Sequence, residues 1–335
     1  MLSLRRGRVV AAVAGPEQSL VVELADGPHP AIADLGLVGE CREGDEVVVN
    51  VSGRELGLGS GGFDVVHVNL TRGLTGDGDP GARVMKLNYA SLQHAVRALE
   101  ADRPVRRPTT GRVVVIGLHG QLAPVAWAVD QARPGLRVGY VQTAGGALPG
   151  SRSEVVRELR ARGLLAAHVT AAPCYGGPDG EAVTTIGAID HGLSELGWDL
   201  AVCGPGPGII GSASTLGHGG MEALDSAHAG RCLGAPTLIV PRMSSSDPRP
   251  RHRGISHHTR TVLELLLVPV TVALPPGVEV PDWGRAHDWR GGAAELEAYA
   301  RSGLPATTMG RRLEADPLFF AAALAAGSVA AASWD

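Results

Sequence analysis

The chain has 335 residues, 44% hydrophobic and 19% charged, with a formal net charge of −4; this is enough apolar material for two cores and no basic field for nucleic acid or anionic lipid. The four cysteines, Cys41, Cys174, Cys203 and Cys232, lie far apart and make no CxxC pair, which excludes a disulfide framework and a thiolate zinc knuckle. Arg5, Arg6 and Arg8 lead into an apolar run, Val9 to Val13, too short for a secretion signal, so a cytoplasmic protein with free thiols is expected.

Residues 1–75 read as a small β-barrel or curled sheet. The β-branched runs Arg8 to Val13, Ser19 to Leu24, Glu46 to Val51 and Phe63 to Val68 are split by Ala25-Asp26-Gly27, Glu43-Gly44-Asp45 and the turn Gly59 to Gly62. Residues 76–110 read as a linker: after the Gly- and Asp-rich stretch Thr71 to Gly81 come a strand over Ala82 to Tyr89 and a helix over Ser91 to Glu100, whose Leu92, Val96 and Leu99 keep helical spacing.

From residue 111 to 335 the pattern is regular. Apolar strands over Val113 to Ile116, Val138 to Gln142, Leu164 to Thr170, Leu200 to Cys203, Pro236 to Val240 and Val268 to Ala273 alternate with helices near 122–131, 151–162, 181–196, 221–232 and 256–266. Such alternation predicts βαβ units, hence a doubly wound, mostly parallel, Rossmann-like α/β domain. Phe319 to Ala332 is apolar nearly all round but too short to span a bilayer. It is expected in the core or in the interface of a homo-oligomer, a dimer being the simplest case.

In a doubly wound sheet, ligands sit outside the carboxyl ends of the strands. That brings together His119 and Gln121 after the first strand, Thr143 after the second and Cys174 and Tyr175 after the third. Gly206, Gly208, Gly211, Ser212 and Ser214 follow the fourth, and Arg242, Ser244 and Asp247 the fifth. A glycine-rich turn after a buried strand can bare backbone N–H groups to an anion. Gly206-x-Gly208-x-x-Gly211 also spells a dinucleotide fingerprint, with Arg242 placed to meet a 2′-phosphate. Yet no apolar helical period follows, and a Walker A lysine is lacking. Lys86, the sole lysine, is a further cation for a phosphate or carboxylate.

The run from Arg242 to Arg260 carries five arginines, Arg242, Arg249, Arg251, Arg253 and Arg260, with His252, His257 and His258. Ser256 can cap a helix, which places His257 and His258 in its first turn, where the dipole favours neutral imidazoles able to act as bases or ligands. No compact HxH or HExxH spacing supports a metal, and none is assigned; a metal set would have to draw on His119, Asp247, His257 or His258, with His218. Ser244 or Ser212 with a histidine and Asp247 could form a nucleophilic triad, but no G-x-S-x-G elbow is present.

Several blocks resemble a bacterial family of proteins of unknown function, DUF3866: Val84 to Tyr89, Gly117 to Leu122, Thr143 to Pro149, Gly204 to Gly211, and Asp247-Pro248-Arg249 through Gly254 to His258. The resemblance covers nearly the whole chain and implies no activity or cofactor. The residues themselves point to a small anionic or phosphorylated ligand processed by hydrolysis or group transfer. In that reading His119, His257 or His258 is acid or base, oriented by Asp247, while Lys86, Gln121, Thr143, the glycines, Ser212, Ser214, Arg242 and Ser244 bind. An NADP-linked oxidoreductase and a non-catalytic sensor or scaffold are the alternatives.

Overall fold

The computed structural model describes residues 2–15, 18–57, 62–74, 78–212 and 214–332. Most of the Gly59 to Gly62 turn, Thr75 to Asp77 of the expected linker and Ala213 of the glycine loop lie outside the described residues. The chain divides into two compact units, Met1–Arg97 and Ala98–Asp335.

In the N-terminal unit, β1 (Leu4–Val13), β2 (Gln18–Leu24), β3 (Gly27–Ala33), β4 (Glu46–Asn50) and β5 (Asp64–Asn69) close a barrel in the order β1-β2-β3-β5-β4. Two single-turn helices, α1 (Leu35–Val38) and α2 (Ser52–Glu55), fill the connections. Alternation does the folding: Leu20, Val22 and Leu24 point inward from β2 and Val47 and Val49 from β4, while their neighbours face outward. Closure leaves the barrel without a free sheet edge.

The expected helix over Ser91 to Glu100 is instead a hairpin strand. β6 (Val84–Lys86) pairs antiparallel with β7 (His94–Val96), matching Val84 to Val96 and Lys86 to His94. The spacing of Leu92, Val96 and Leu99 misled because these residues serve different neighbours. Val96 belongs to the hairpin of the first unit, and Leu99 donates its N–H to Glu181 in the second and packs there on Gly180.

The C-terminal unit is built on an eight-stranded sheet in which every pairing is parallel. In chain order its elements begin with β8 (Arg112–Ile116), α3 (Leu122–Ala132), β9 (Val138–Thr143), α4 (Glu154–Ala161), β10 (Ala167–Ala171), β11 (Glu181–Ala182), α5 (Thr185–Ser194), β12 (Leu200–Pro205) and α6 (Glu222–Cys232). They continue with β13 (Thr237–Val240), a small hairpin of β14 (Met243–Ser244) and β15 (Gly254–Ile255), α7 (His257–Leu265), β16 (Thr271–Leu274), β17 (Asp288–Gly291), α8 (Leu296–Arg301), the hairpin β18 (Thr307–Thr308) and β19 (Arg311–Arg312), and α9 (Pro317–Ala331). The strand order is β11-β10-β9-β12-β8-β13-β16-β17.

Both faces are covered, which is why the strands read as unbroken apolar runs. Val114 and Ile116 of β8 face a core shared with α3, α4, α8 and α9, while Val113 and Val115 face the opposite core with α5, α6 and α7. The uniformly apolar α9 finds its cover inside this unit, packed on α3, with twelve of its residues buried from Phe319 to Ala331. Among the described residues no helix is long and apolar enough to cross a membrane.

Candidate functional site

The polar chemistry of the C-terminal unit gathers where neighbouring strands send their chains to opposite faces. β8 leads to α3 on one face; β12 and β13, on either side of it, lead to α6 and α7 on the other. Divergent connections open a gap at the carboxyl ends of the strands. There Gly117, Gly220, Val240, Arg242, His258 and Thr259 are among the residues that line a cavity of about 20 Å³, room for about one water.

Arg242 is the centre of it. Its backbone is pinned by Thr259 Oγ1, which accepts its N–H at 2.8 Å, and by the Ser256 N–H, which donates to its carbonyl at 2.9 Å. Its side chain is 5% exposed; NH1 lies 3.0 Å from His258 Nδ1 and NH2 3.5 Å from Asp247 Oδ2. Burial, and then the neighbouring Arg249, pull the guanidinium down to about 10, which leaves it charged at neutral pH.

Asp247 is wholly buried and receives more cation than it can neutralise. Arg249 forks onto both carboxylate oxygens at 2.9 and 3.0 Å, and Arg311 reaches Oδ2 at 3.4 Å. Burial opposes the charge, but the hydrogen bonds from Arg249 hold the carboxyl well below its ordinary range. Arg311 also bonds Asp316, which takes the Ser244 hydroxyl at 2.7 Å and the Ser245 N–H at 2.8 Å. Three guanidiniums, Arg242, Arg249 and Arg311, thus meet two carboxylates, Asp247 and Asp316. Among these five groups one positive charge is in excess.

Four histidines stand beside this network. His218 and His258 stack with ring centres 3.4 Å apart and planes 10° from parallel, and His252, His257 and His258 crowd one another at 4.3 to 4.8 Å. Burial is the main cause that pushes all four below the ordinary histidine value, helped by charged neighbours; His252 falls to about 3. They are therefore neutral imidazoles at pH 7. Ser256 explains part of the geometry: its Oγ accepts the His258 N–H at 3.2 Å as the cap of α7 and meets His252 Nδ1 at 2.7 Å. Both ring nitrogens of His218, and Nε2 of His252 and of His257, are buried with no hydrogen-bond partner.

The other residues singled out by sequence fall into separate groups. His119 is bonded through Nε2 to Ser153 Oγ at 2.8 Å and through Nδ1 to Tyr140 Oη at 3.3 Å, and burial pushes it to about 4; its partners tie β8 to β9 and α4 and include no member of the Arg242 cluster. Asp247 touches guanidiniums and orients Arg242, with no direct bond to His257 or His258. Gln121 accepts from the N–H groups of Gly117 and Leu118 and donates to the Pro241 carbonyl, so it shapes the cavity wall with its amide fully engaged. Thr143 is buried and donates to the Ala144 carbonyl, and the Ser244 hydroxyl is engaged by Asp316. Lys86 belongs to β6 in the N-terminal unit.

The glycine loop is committed to a second backbone. Ile210 N–H donates to the Gly145 carbonyl at 2.9 Å and Ala147 N–H to the Gly208 carbonyl at 2.8 Å. A side chain at Gly146 would fall 2.5 Å from the Gly206 carbonyl oxygen, and one at Gly145 2.4 Å from that of Gly219. The glycines let two loops touch. Gly211 bridges to His218, and Ser212 and Ser214 close the exposed turn between them through Gly217. The following helix α6 starts at Glu222, beyond the reach of a dinucleotide fingerprint.

Sequence reasoning gave no role to His252, Arg311 or Asp316. His252 sits in the conspicuous basic run and was visible there. Arg311 and Asp316 are isolated in sequence and reach the site because α9 packs on β14, which brings Asp316 to Ser244, and Arg311 bonds both Asp316 and Asp247. A family model described as "Protein of unknown function (DUF3866)" matches residues 31–327. No curated protein and no solved structure matches the chain.

Proposed function

The chain belongs to the DUF3866 family, and from the chemistry of its own crevice we propose that it is an enzyme that binds a small anionic or phosphorylated metabolite and performs hydrolysis or group transfer on it. We read the parallel sheet as a doubly wound, Rossmann-like arrangement whose crevice is the cleft beside β8. The observation that carries the reading is Arg242: a buried guanidinium facing a cavity, beside unprotonated His258, in a network with more arginine than carboxylate. A buried cation without full compensation is costly unless an anion completes it. Arg242 holds the anion, and the neutral histidines offer lone pairs at the reacting end. The glycine loop supports this crevice from behind, through its contacts with Gly145 and Ala147.

A thermal-shift screen with phosphorylated and carboxylate metabolites tests it. Anionic ligands at about 100 times their Kd stabilise by about 2.7 kcal/mol, enough to raise Tm by several degrees. The shift is expected in the wild type and absent in Arg242→Gln. Equal shifts in both proteins, or no anion that raises Tm, overturn the reading.

A further inference from the structure

We propose that His252, His257 and His258 form a binding site for a first-row transition-metal dication such as Zn2+, with a coordination position left open toward the crevice. Each residue brings one ring nitrogen, and the three nitrogens lie within 4.8 Å of one another. An ion about 2.0–2.1 Å from each would draw them closer still. Closing that gap requires the half-buried His257 and His258 rings to turn toward His252.

Three observations point to an ion and not to chance crowding. First, His252 is 0% exposed and its Nε2 has no hydrogen-bond partner, as has Nε2 of His257. Buried nitrogens left this way cost free energy unless something outside the chain completes them. Second, His252 has a partner on its other nitrogen: Ser256 Oγ lies 2.7 Å from Nδ1, and in the tautomer that donates Nδ1–H to it the lone pair sits on Nε2, the arrangement usual for a metal-binding histidine. Third, the mutual tilts of the three rings, 43°, 68° and 87°, suit convergence on one point.

His218 is not a ligand of the same ion. It lies parallel to His258 at 3.4 Å, and two imidazoles in parallel planes cannot both aim in-plane lone pairs at one centre. That leaves three protein ligands and an open position, the pattern of reactive metal sites in which the fourth place holds water or substrate. Imidazole donors suit Zn2+, Cu2+, Ni2+ or Fe2+ over Mg2+ or Ca2+. The neighbouring guanidiniums work against a dication; ionised Asp247 works for it.

Arg242 has a particular place in this scheme. A guanidinium only donates, so its contact at 3.0 Å takes the lone pair of His258. A neutral imidazole has one such pair, and the ion and Arg242 compete for it. Metal binding therefore frees Arg242 for an anion. The metal site itself stands whether or not the anion reading does.

The test uses the full chain, stripped by a chelator, dialysed and titrated with Zn2+. One ion per chain is expected, with binding weakened at least tenfold in His252→Ala and in His257→Ala and unchanged in His67→Ala, which lies in the barrel. X-ray absorption on the Zn2+-loaded wild type, which needs no variant to fold, is expected to show imidazole ligands and no sulfur. Uptake below one ion per chain, fewer than two imidazoles at the ion, or wild-type binding by both variants overturns the proposal. Arg242→Gln separates the two readings: it is expected to lose anion binding and to bind Zn2+ at least as tightly as the wild type. Anion binding that depends on Arg242 in a protein that takes up no Zn2+ sinks the metal site alone.

Discussion

Two buried carboxylates, one in each unit, show how a finished ion network differs from an unfinished one. In the barrel, Asp45 is 2% exposed at its side chain; Arg72 forks onto it at 2.6 to 3.0 Å, and the Arg42 N–H and Asn69 Nδ2 each donate at 2.9 Å. Among the described residues one guanidinium meets this carboxylate, and both of its oxygens are satisfied. In the C-terminal unit, Asp247 is equally buried but shared by three guanidiniums, and it stands in a cluster whose histidines keep unpartnered nitrogens. Single orphaned nitrogens also occur elsewhere, at Trp198 Nε1 and His168 Nδ1. What distinguishes the crevice is that several converge beside surplus charge. The barrel network is completed by its own chain, whereas the crevice network, on the function proposed above, is completed from solution.

The largest effect is expected at Asp247. Asp247→Ala leaves Arg242, 5% exposed, short of its carboxylate and Arg311, 20% exposed, with Asp316 but without Asp247, and should cost about 3 kcal/mol in urea unfolding of the C-terminal unit. Asp45→Ala should cost less, about 2 kcal/mol, because Arg72 is 40% exposed and water takes over its solvation. If Asp45→Ala proves the more damaging, the two networks are not ranked by burial of their arginines.

Acid sharpens the contrast. The Arg72 hydrogen bonds outweigh burial and hold the Asp45 carboxyl at about 2, below its ordinary 3.8. A depressed folded value means the contribution is complete above pH 4 and is lost as pH falls through 3.8 toward 2. Between pH 5 and pH 2 the wild type should therefore lose about 2 kcal/mol more stability than Asp45→Asn, read from unfolding midpoints of the barrel. An identical acid response in the two proteins removes the ion pair from the account.

The sheet and the barrel were legible because both obey local periods. The short, β-branched apolar run Val113 to Ile116, bounded by Gly111 and Gly117, reads as a strand buried on two faces, and the alternation in Ser19 to Leu24 as one buried on a single face. The expected helix at Ser91 failed because its three apolar residues face two different units, a division that spacing does not reveal. At the site, the strand-end argument singled out the Arg242 to His258 run, but two contacts were not legible in it: the glycine loop touches the backbone of residues 145–147, and the Asp247 carboxylate bonds arginines. Asp316 was illegible, since nothing near it in sequence marks the acid that holds Ser244 and Arg311.

The smallest expected effect on stability bears most directly on the comparison. His257→Leu removes a half-buried ring whose Nε2 has no partner and puts an apolar side chain in its place. Taking away an unsatisfied polar group removes its desolvation cost, so the change should be neutral or stabilising by up to about 1 kcal/mol when measured with a chelator present. The outcome follows from the metal site proposed above: a residue held ready for an ion contributes nothing to folding until the ion arrives. With Zn2+ the order should invert, because the wild type gains binding free energy that the variant lacks. A loss as large as that of Asp45→Ala, in chelator, would mean that His257 belongs to a closed structural network of the barrel's kind.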